Sequence, residues 1–423
     1  MNSTERLART DGSNPSVLMS HPTGNQYVRN ALRSMVEQEM LAEFWTTLAW
    51  NPESRWNTLM PASIRRQMAR RSFPEVPRKL VKRVPWVEMV RLAVRSSLLE
   101  DPLCSSERLF SVIGMFRHFD ARVAQRLREL QVDAVYAHEG GALQTFREAR
   151  KRGFATFYEL PSGHWYWERD LMRQEAERNP RLASVIPKLS DSETHLTEKD
   201  EELELADLII VDSEHVRRSL AGVVLDEKIK VIPYGAPPVR VRQRRPGTSD
   251  APLQVLFAGM LHQRKGIGYL LEAMEMLGKD AELTLVGRRV AANEIVDEAC
   301  HRWRWLESLP HERMLEVMLE ADVLVLPSLS EGFGLVVTEA LSCGLPVIVT
   351  PNVGASDLVR DGREGFVVSI CSAEAIADRL AILNHDRELL AEMSRRAQHT
   401  AAQYSWEAYR QSIAYTVKAR LQQ

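Results

Sequence analysis

The stretch "DVLVLPSLSEGFGLVVTEALSCGLPVIVT", Asp322 to Thr350, decides the fold. "VLVLPS" is a short apolar, β-branched run that ends in Pro327 and Ser328. "LSEGFG" has the composition of a turn, "LVVTEALSCG" carries a helical pattern, and "LPVIVT" is a second apolar run. Strands that are apolar throughout and alternate with helices belong to a parallel sheet covered on both faces.

Working outward, "LQVLFAG" (Leu253–Gly259) and "ELTLVG" (Glu282–Gly287) repeat the strand signal. Helical patterns "GIGYLLEAMEML", "NEIVDEACHRW" and "HERMLEVMLEA" separate the runs. The first half repeats the theme less regularly. "SVLMS" runs into the turn "HPTGN" and the helix "QYVRNALRSMVEQEM". "VDAVYAH", "FATFYEL" and "ADLIIVDS" are further strands, each followed by a helical stretch. A chain of 423 residues is too long for one ordinary core. The predicted architecture is α/β, with two Rossmann-like doubly wound domains facing a central cleft. Residues 1–236 form the first domain and 253–404 the second. The proline-rich 237–252 is the linker, and 405–423 is a helix expected to pack back toward the first domain. Open parallel sheets bind ligands beyond the carboxyl ends of their strands, which here means the cleft.

Bulk composition excludes several classes. A net charge of −2 gives no whole-chain case for nucleic acid. Cys104, Cys300, Cys343 and Cys371 have no Cys-x-x-Cys spacing, so neither a zinc cluster nor a disulfide framework is expected, and a reducing cytoplasm fits. The N-terminal stretch has no long apolar core to serve as a signal peptide, and no apolar run reaches membrane-spanning length.

The chemistry concentrates in two strand-end loops. In the opening stretch, a strand–glycine turn–helix unit offers free amides and a positive helix end to an anion. Gly332 and Gly334 allow close backbone approach. Glu339, about one turn into the helix, is placed to accept from a ribose diol, and Glu331 in the turn from the hydroxyls of a neighbouring sugar. A capped helix with an incidental surface Glu is the plainer alternative. "AGMLHQRKGIGYLLEA" supplies cations after another strand: Arg264 with its planar fork and Lys265 as a point charge, just before Gly266.

Those residues carry a resemblance. The C-terminal half resembles the retaining glycosyltransferases of family four, which have the two-domain GT-B architecture. Glu331, seven residues, then Glu339; Lys265–Gly266; "LPS" before the first Glu; "ALSCGLPVIVT" after the second; and "VGASDLVRDGREGFVV" all match that family's pattern. The resemblance implies a nucleotide diphosphate sugar as donor substrate and no metal or other cofactor. Glu331 would contact the donor sugar, Glu339 the ribose, and Arg264 with Lys265 the diphosphate. The donor side would also include Gly259, Gly287, Gly332, Phe333, Gly334 and Leu335. One position departs: Met260 stands where the family often has the arginine of Gly-Arg-Leu, and Arg264 is the substitute at hand.

The first half resembles the family more faintly. Thr23, Gly24 and Asn25 match its acceptor-side loop, although a plain turn capping a helix reads equally well. His138 and Glu139 end a strand where family members carry a His near the transferred bond. His138 is thus grouped with Glu331, Arg264 and Lys265 as catalytic, against the alternative of a hydrogen-bonded strand-end His. "ELPSGHWYWERD" offers His164 and Trp165 as an acceptor wall, or as packing. Ser213 and Tyr234–Gly235 are expected at the cleft edge. The acceptor is a glycan, a glycolipid or a small molecule.

Between Arg55 and Arg95 stand eleven Lys or Arg against two Glu, interleaved with Trp56, Met60, Met68, Phe73 and Trp86. Such a surface suits anionic lipid headgroups at the inner face of a membrane. Alternatively it is a solvated face balanced by the acidic 191–207. Two other functions stay open at this level: a nucleotide-binding scaffold with little or no turnover, and a glycoside hydrolase using the same two carboxylates.

Overall fold

The computed structural model describes residues 14–51, 65, 68, 69, 71–94, 108–187, 191–240 and 251–422. It holds two parallel sheets. The first runs β3-β2-β1-β4-β5-β6-β7, with β1 at Val17–Ser20, β2 at Leu41–Thr46, β3 at Val81–Arg83, β4 at Ala134–His138, β5 at Ala155–Leu160, β6 at Leu208–Val211 and β7 at Ile229–Val231. The second runs β10-β9-β8-β11-β12-β13, with β8 at Leu253–Ala258, β9 at Ala281–Val286, β10 at Arg304–Leu306, β11 at Val323–Leu326, β12 at Val347–Val349 and β13 at Gly365–Val367. Strand order reverses between β1 and β4 and between β8 and β11. A crevice opens beyond the carboxyl ends of strands at such switch points. The loops after β8 and β11 are the ones that carry Arg264, Lys265 and Glu331.

The second core is the more uniform. All four residues of β11 and all three of β12 are buried and apolar. That is why they read clearly as strands.

The expected helix to Met40 stops early. It spans Gln26–Glu37, Glu39 turns the chain with φ 53°, and β2 follows beside β1. The strand is hard to see in "LAEFWT" because Glu43 interrupts the apolar run. Its carboxylate accepts from Arg126 at 2.8 Å and from the Trp45 indole at 2.8 Å.

The helix Trp406–Leu421 lies against Gln26–Glu37. Ser34 Oγ donates to the Arg410 carbonyl at 2.6 Å, Arg410 pairs with Glu37 at 3.2 Å, and Lys418 donates to Gln38 at 2.8 Å. A Cβ on Gly235 would lie 2.4 Å from the Trp406 backbone, so only glycine lets the two crossing segments touch there. Of the expected linker, 241–250 lies outside the described residues.

The described residues of the basic segment divide between core and surface. Trp56 and Met60 lie outside the described residues. Phe73 is a core residue, packed under Gly24 and covered by Arg29. Arg71 and Arg91 pair with Glu88, which is fully buried. Trp86 and Met89, by contrast, are about half exposed. The acids of 191–207 pair elsewhere: Glu198 with Arg117, Glu201 with Arg147, Asp207 with Arg150. Cys300, Cys343 and Cys371 are free thiols. No helix among the described residues is long and apolar enough to cross a membrane.

Candidate active site

The loop after β8 turns at Gly259 and enters a short 3₁₀ turn, Gln263–Lys265, ahead of the helix Ile267–Leu277. Gly266 has φ +71°, and a Cβ there would lie 2.0 Å from the Pro327 carbonyl. Glycine therefore lets this loop press against the turn that follows β11. The Leu329 amide donates to the Arg264 carbonyl at 2.8 Å and pins the two loops together. Gly287, after β9, plays a similar part, since a Cβ on it would meet the Gly259 carbonyl at 1.8 Å.

Across this junction the Lys265 ammonium forms an ion pair with Glu331. Burial pushes the Glu331 carboxyl up, but Lys265, then Arg264, outweigh burial and hold it below the usual carboxylate range. Arg264 instead reaches the other lobe, 3.5 Å from Glu168 on the helix Trp165–Arg178. Glu168 also accepts from Ser330 Oγ at 2.7 Å, and burial pushes its carboxyl up in spite of Arg264. Gln263 donates to Glu175, on the same helix, at 2.7 Å. Three successive residues, Gln263, Arg264 and Lys265, thus each engage a different carboxylate. Glu168, Glu175 and Ser330 carry no motif that marks them in the sequence. The partners just named for them lie 88 to 162 positions away, and only the fold joins them.

Gly334, with φ +82°, opens the helix Leu335–Ser342 without a side-chain cap. Its first-turn amides and positive end face the turn that holds Glu331. Glu339 sits further along this helix, 3.5 Å from His311. Burial pushes its carboxyl up to about 7. No contact joins it directly to Lys265 or Glu331. Leu335 begins the helix, and Phe333 is buried at the lobe junction with its ring 5.2 Å from that of Tyr234. Met260 is about half exposed. The lobes touch here: Ser213 Oγ donates to the Gly332 carbonyl at 3.1 Å, and the Glu214 amide to Asp357 at 2.7 Å.

On the facing lobe the expected residues are more occupied. The amides of Thr23 and Gly24 donate to His21 Nδ1 at 3.1 and 2.7 Å, and Asn25 caps the helix Gln26–Glu37 through the Val28 amide. This is the capping geometry, with the loop's amides used internally. His138 is 4 % exposed, with Nδ1 3.2 Å from the Ser20 carbonyl and Nε2 3.1 Å from Glu159. Glu159, which sequence reasoning missed, also accepts from Tyr136, Tyr234 and Tyr409. Burial pushes its carboxyl up, but His138 and the tyrosine hydroxyls bring it below the usual range. Glu139 pairs with Lys199 at 3.3 Å and accepts from Ser162. His164 and Trp165 share Asp200 as partner, at 3.0 and 2.7 Å, and Arg169 covers the Trp165 ring. No group of three or more His, Cys, Asp or Glu side chains placed to hold a metal occurs among the described residues.

Residues 240–400, which contain both strand-end loops, match the family model described as glycosyl transferases group 1. The C-terminal lobe is a group 1 glycosyl transferase domain. Curated relatives of this glycosyl transferase domain include the D-inositol 3-phosphate glycosyltransferases of Paenarthrobacter aurescens and Nocardia farcinica. The first is 30% identical over 192 residues, covering 40% of this chain and 46% of the relative. The second is 31% identical over 217 residues, covering 46% and 48%. The chain thus spans about half the length of the curated relatives it matches. Solved structures align over both lobes. Anabaena Alr3699/HepE in complex with UDP has a TM-score of 0.63 at 17% identity, covering 96% of this chain and 100% of that one. Sucrose-phosphate synthase from Thermosynechococcus elongatus has a TM-score of 0.67 at 18% identity, covering 96% and 99%. These likenesses establish the two-domain GT-B fold.

Proposed function

We propose that the protein transfers a sugar from a nucleoside diphosphate sugar to an acceptor hydroxyl with retention of anomeric configuration. The observation that carries this reading is the junction of the two strand-end loops. There Lys265 and Arg264 stand beside Glu331 and the uncapped start of Leu335–Ser342. The cations and first-turn amides would hold the diphosphate, and Glu331 the sugar hydroxyls. In the transfer, the bond from the anomeric carbon to the phosphate oxygen breaks. The bond to the acceptor oxygen forms on the same face, and the acceptor proton passes to the departing phosphate. Preorganised charge at Lys265 and Arg264 stabilises that phosphate as the bond breaks. No metal is required in this scheme. The Anabaena neighbour was solved with UDP and with UDP-glucose, which supports a nucleotide-sugar donor for this chain.

A non-catalytic scaffold is the second reading, favoured by Met260 at the departed position and by Arg264 being held on Glu168. Hydrolysis by paired carboxylates gains no support, because Glu331 is given to Lys265 and Glu339 to His311. Incubation with UDP, GDP and ADP sugars and a panel of hydroxylated acceptors separates these. The transferase releases free nucleoside diphosphate only when an acceptor is present. The scaffold binds nucleotide and releases none.

A pH dependence follows for Glu339. If it accepts from the ribose diol it must be ionised, and its carboxyl titrates at about 7. Nucleoside diphosphate affinity is expected to rise severalfold between pH 6 and 8, beyond the part due to phosphate ionisation. In Glu339→Gln that extra rise disappears. Equal slopes for the two proteins in calorimetric titrations would remove Glu339 from the nucleoside site.

A further inference from the structure

His262 stands between β8 and the 3₁₀ turn, and its backbone is fixed at both ends. Its amide donates to the Met260 carbonyl at 2.9 Å, and its carbonyl accepts from the Lys265 amide at 3.0 Å. The residue is 2 % exposed, yet neither ring nitrogen has a hydrogen-bond partner among the described residues. Arg264, Lys265 and Glu331 are the charged groups that act on it. Other orphaned buried atoms share the same two loops: Arg264 Nε and Ser328 Oγ. Buried polar atoms are normally paired, so a cluster of unpaired ones at a strand-end junction points to a ligand that pairs them.

The chemistry of that ligand follows from the ring. Burial, then the cations Arg264 and Lys265, hold the imidazole at about 4, so it is neutral near pH 7. A neutral imidazole offers one N–H donor and one lone-pair acceptor. It brings no charge to a diphosphate, which Lys265 and Arg264 already provide. A hydroxyl, itself donor and acceptor, is its complement. The nearby carboxylate is Glu331, the group read as meeting sugar hydroxyls. We propose that His262 reads a hydroxyl of the transferred sugar and so helps select which sugar is moved. This rests on the donor-site reading above and names the feature of the donor that the site discriminates.

The test is calorimetric titration of the full chain at pH 7.5 with UDP, GDP and ADP, and with UDP-glucose, UDP-galactose, UDP-N-acetylglucosamine, GDP-mannose and ADP-glucose. His262→Phe keeps bulk but removes both hydrogen-bonding atoms. It is expected to weaken the best nucleotide sugar about tenfold while the parent diphosphate stays within about twofold. His262→Ala replaces it if melting shows the Phe variant unfolded, with the same expectation, and His262→Gln should recover part of the loss. Equal weakening of sugar and diphosphate, or no change in a folded variant, overturns the proposal while leaving the donor reading standing. If the wild-type chain binds none of the panel, the donor reading fails and this proposal fails with it.

Discussion

Lys265→Ala is expected to lower sugar transfer by about 10²–10³-fold, the scale seen when one preorganised charge stabiliser is removed from an active site. Nucleoside diphosphate affinity should fall with it, since Lys265 is the cation at the loop junction. The variant has a second consequence. Glu331 is held in its ionised form against burial chiefly by Lys265. Without that partner a largely buried carboxylate is left uncompensated, which costs about 3–5 kcal/mol in comparable pairs. The Lys265→Ala protein should therefore melt earlier than the parent and regain stability at lower pH, where Glu331 takes up a proton. Lys265→Met combined with Glu331→Gln removes both charges. It should recover most of the melting temperature and none of the turnover. That contrast separates the two roles: if the double variant regains activity along with stability, Lys265 serves the fold alone.

Gly332→Ala is the second large effect, and it acts through the lobes. A Cβ on Gly332 would lie 1.9 Å from the Pro161 carbonyl and 3.2 Å from Ser162 Cα, both backbone atoms of the facing lobe. The Gly332 carbonyl is itself hemmed in by Gly354, whose own Cβ would lie 1.9 Å away, and by Ser213. Neither side has a flexible side chain to yield, so the lobes must part by an ångström or more. Ser330 would then lose Glu168, and Glu331 would be displaced from whatever the first lobe presents. Misplacement by about 1 Å is enough to cost roughly 10²-fold in turnover. Nucleoside diphosphate binding, which uses loops of the C-terminal lobe, should stay within about threefold. Unchanged turnover, together with unchanged small-angle scattering, would show that this contact does not set the working geometry.

Both variants rest on residues that differ in how far sequence could reveal them. The loops that hold Lys265, Arg264 and Glu331 are legible because buried parallel strands are continuous apolar runs, and strand-end loops begin where such runs stop. The same logic failed for β2, where Glu43 breaks the run, and for β3, β10 and β13, which are three residues long and, unlike β12, not fully buried. It failed more completely for Glu168 and Glu159. Each is an unmarked carboxylate in an ordinary element, and its importance comes from partners distant in sequence. Gly332 could be seen as a turn glycine, but the reason for it is the backbone of the other lobe. On the acceptor side, the Thr23–Asn25 turn has two sequence readings of equal weight. Only the bond from the Val28 amide to Asn25, with His21 taking the neighbouring amides, gives that turn its capping geometry.

The most direct measurement is a crystal structure of the protein with a nucleotide sugar that it binds, or with the matching diphosphate. The expected result is a diphosphate oxygen within about 3 Å of Lys265 Nζ, with the Lys265–Glu331 pair opened or shared and the sugar beside Glu331 and His262. A diphosphate seated elsewhere on the C-terminal lobe, with Lys265 still closed on Glu331, contradicts the assignment of these loops as the donor site.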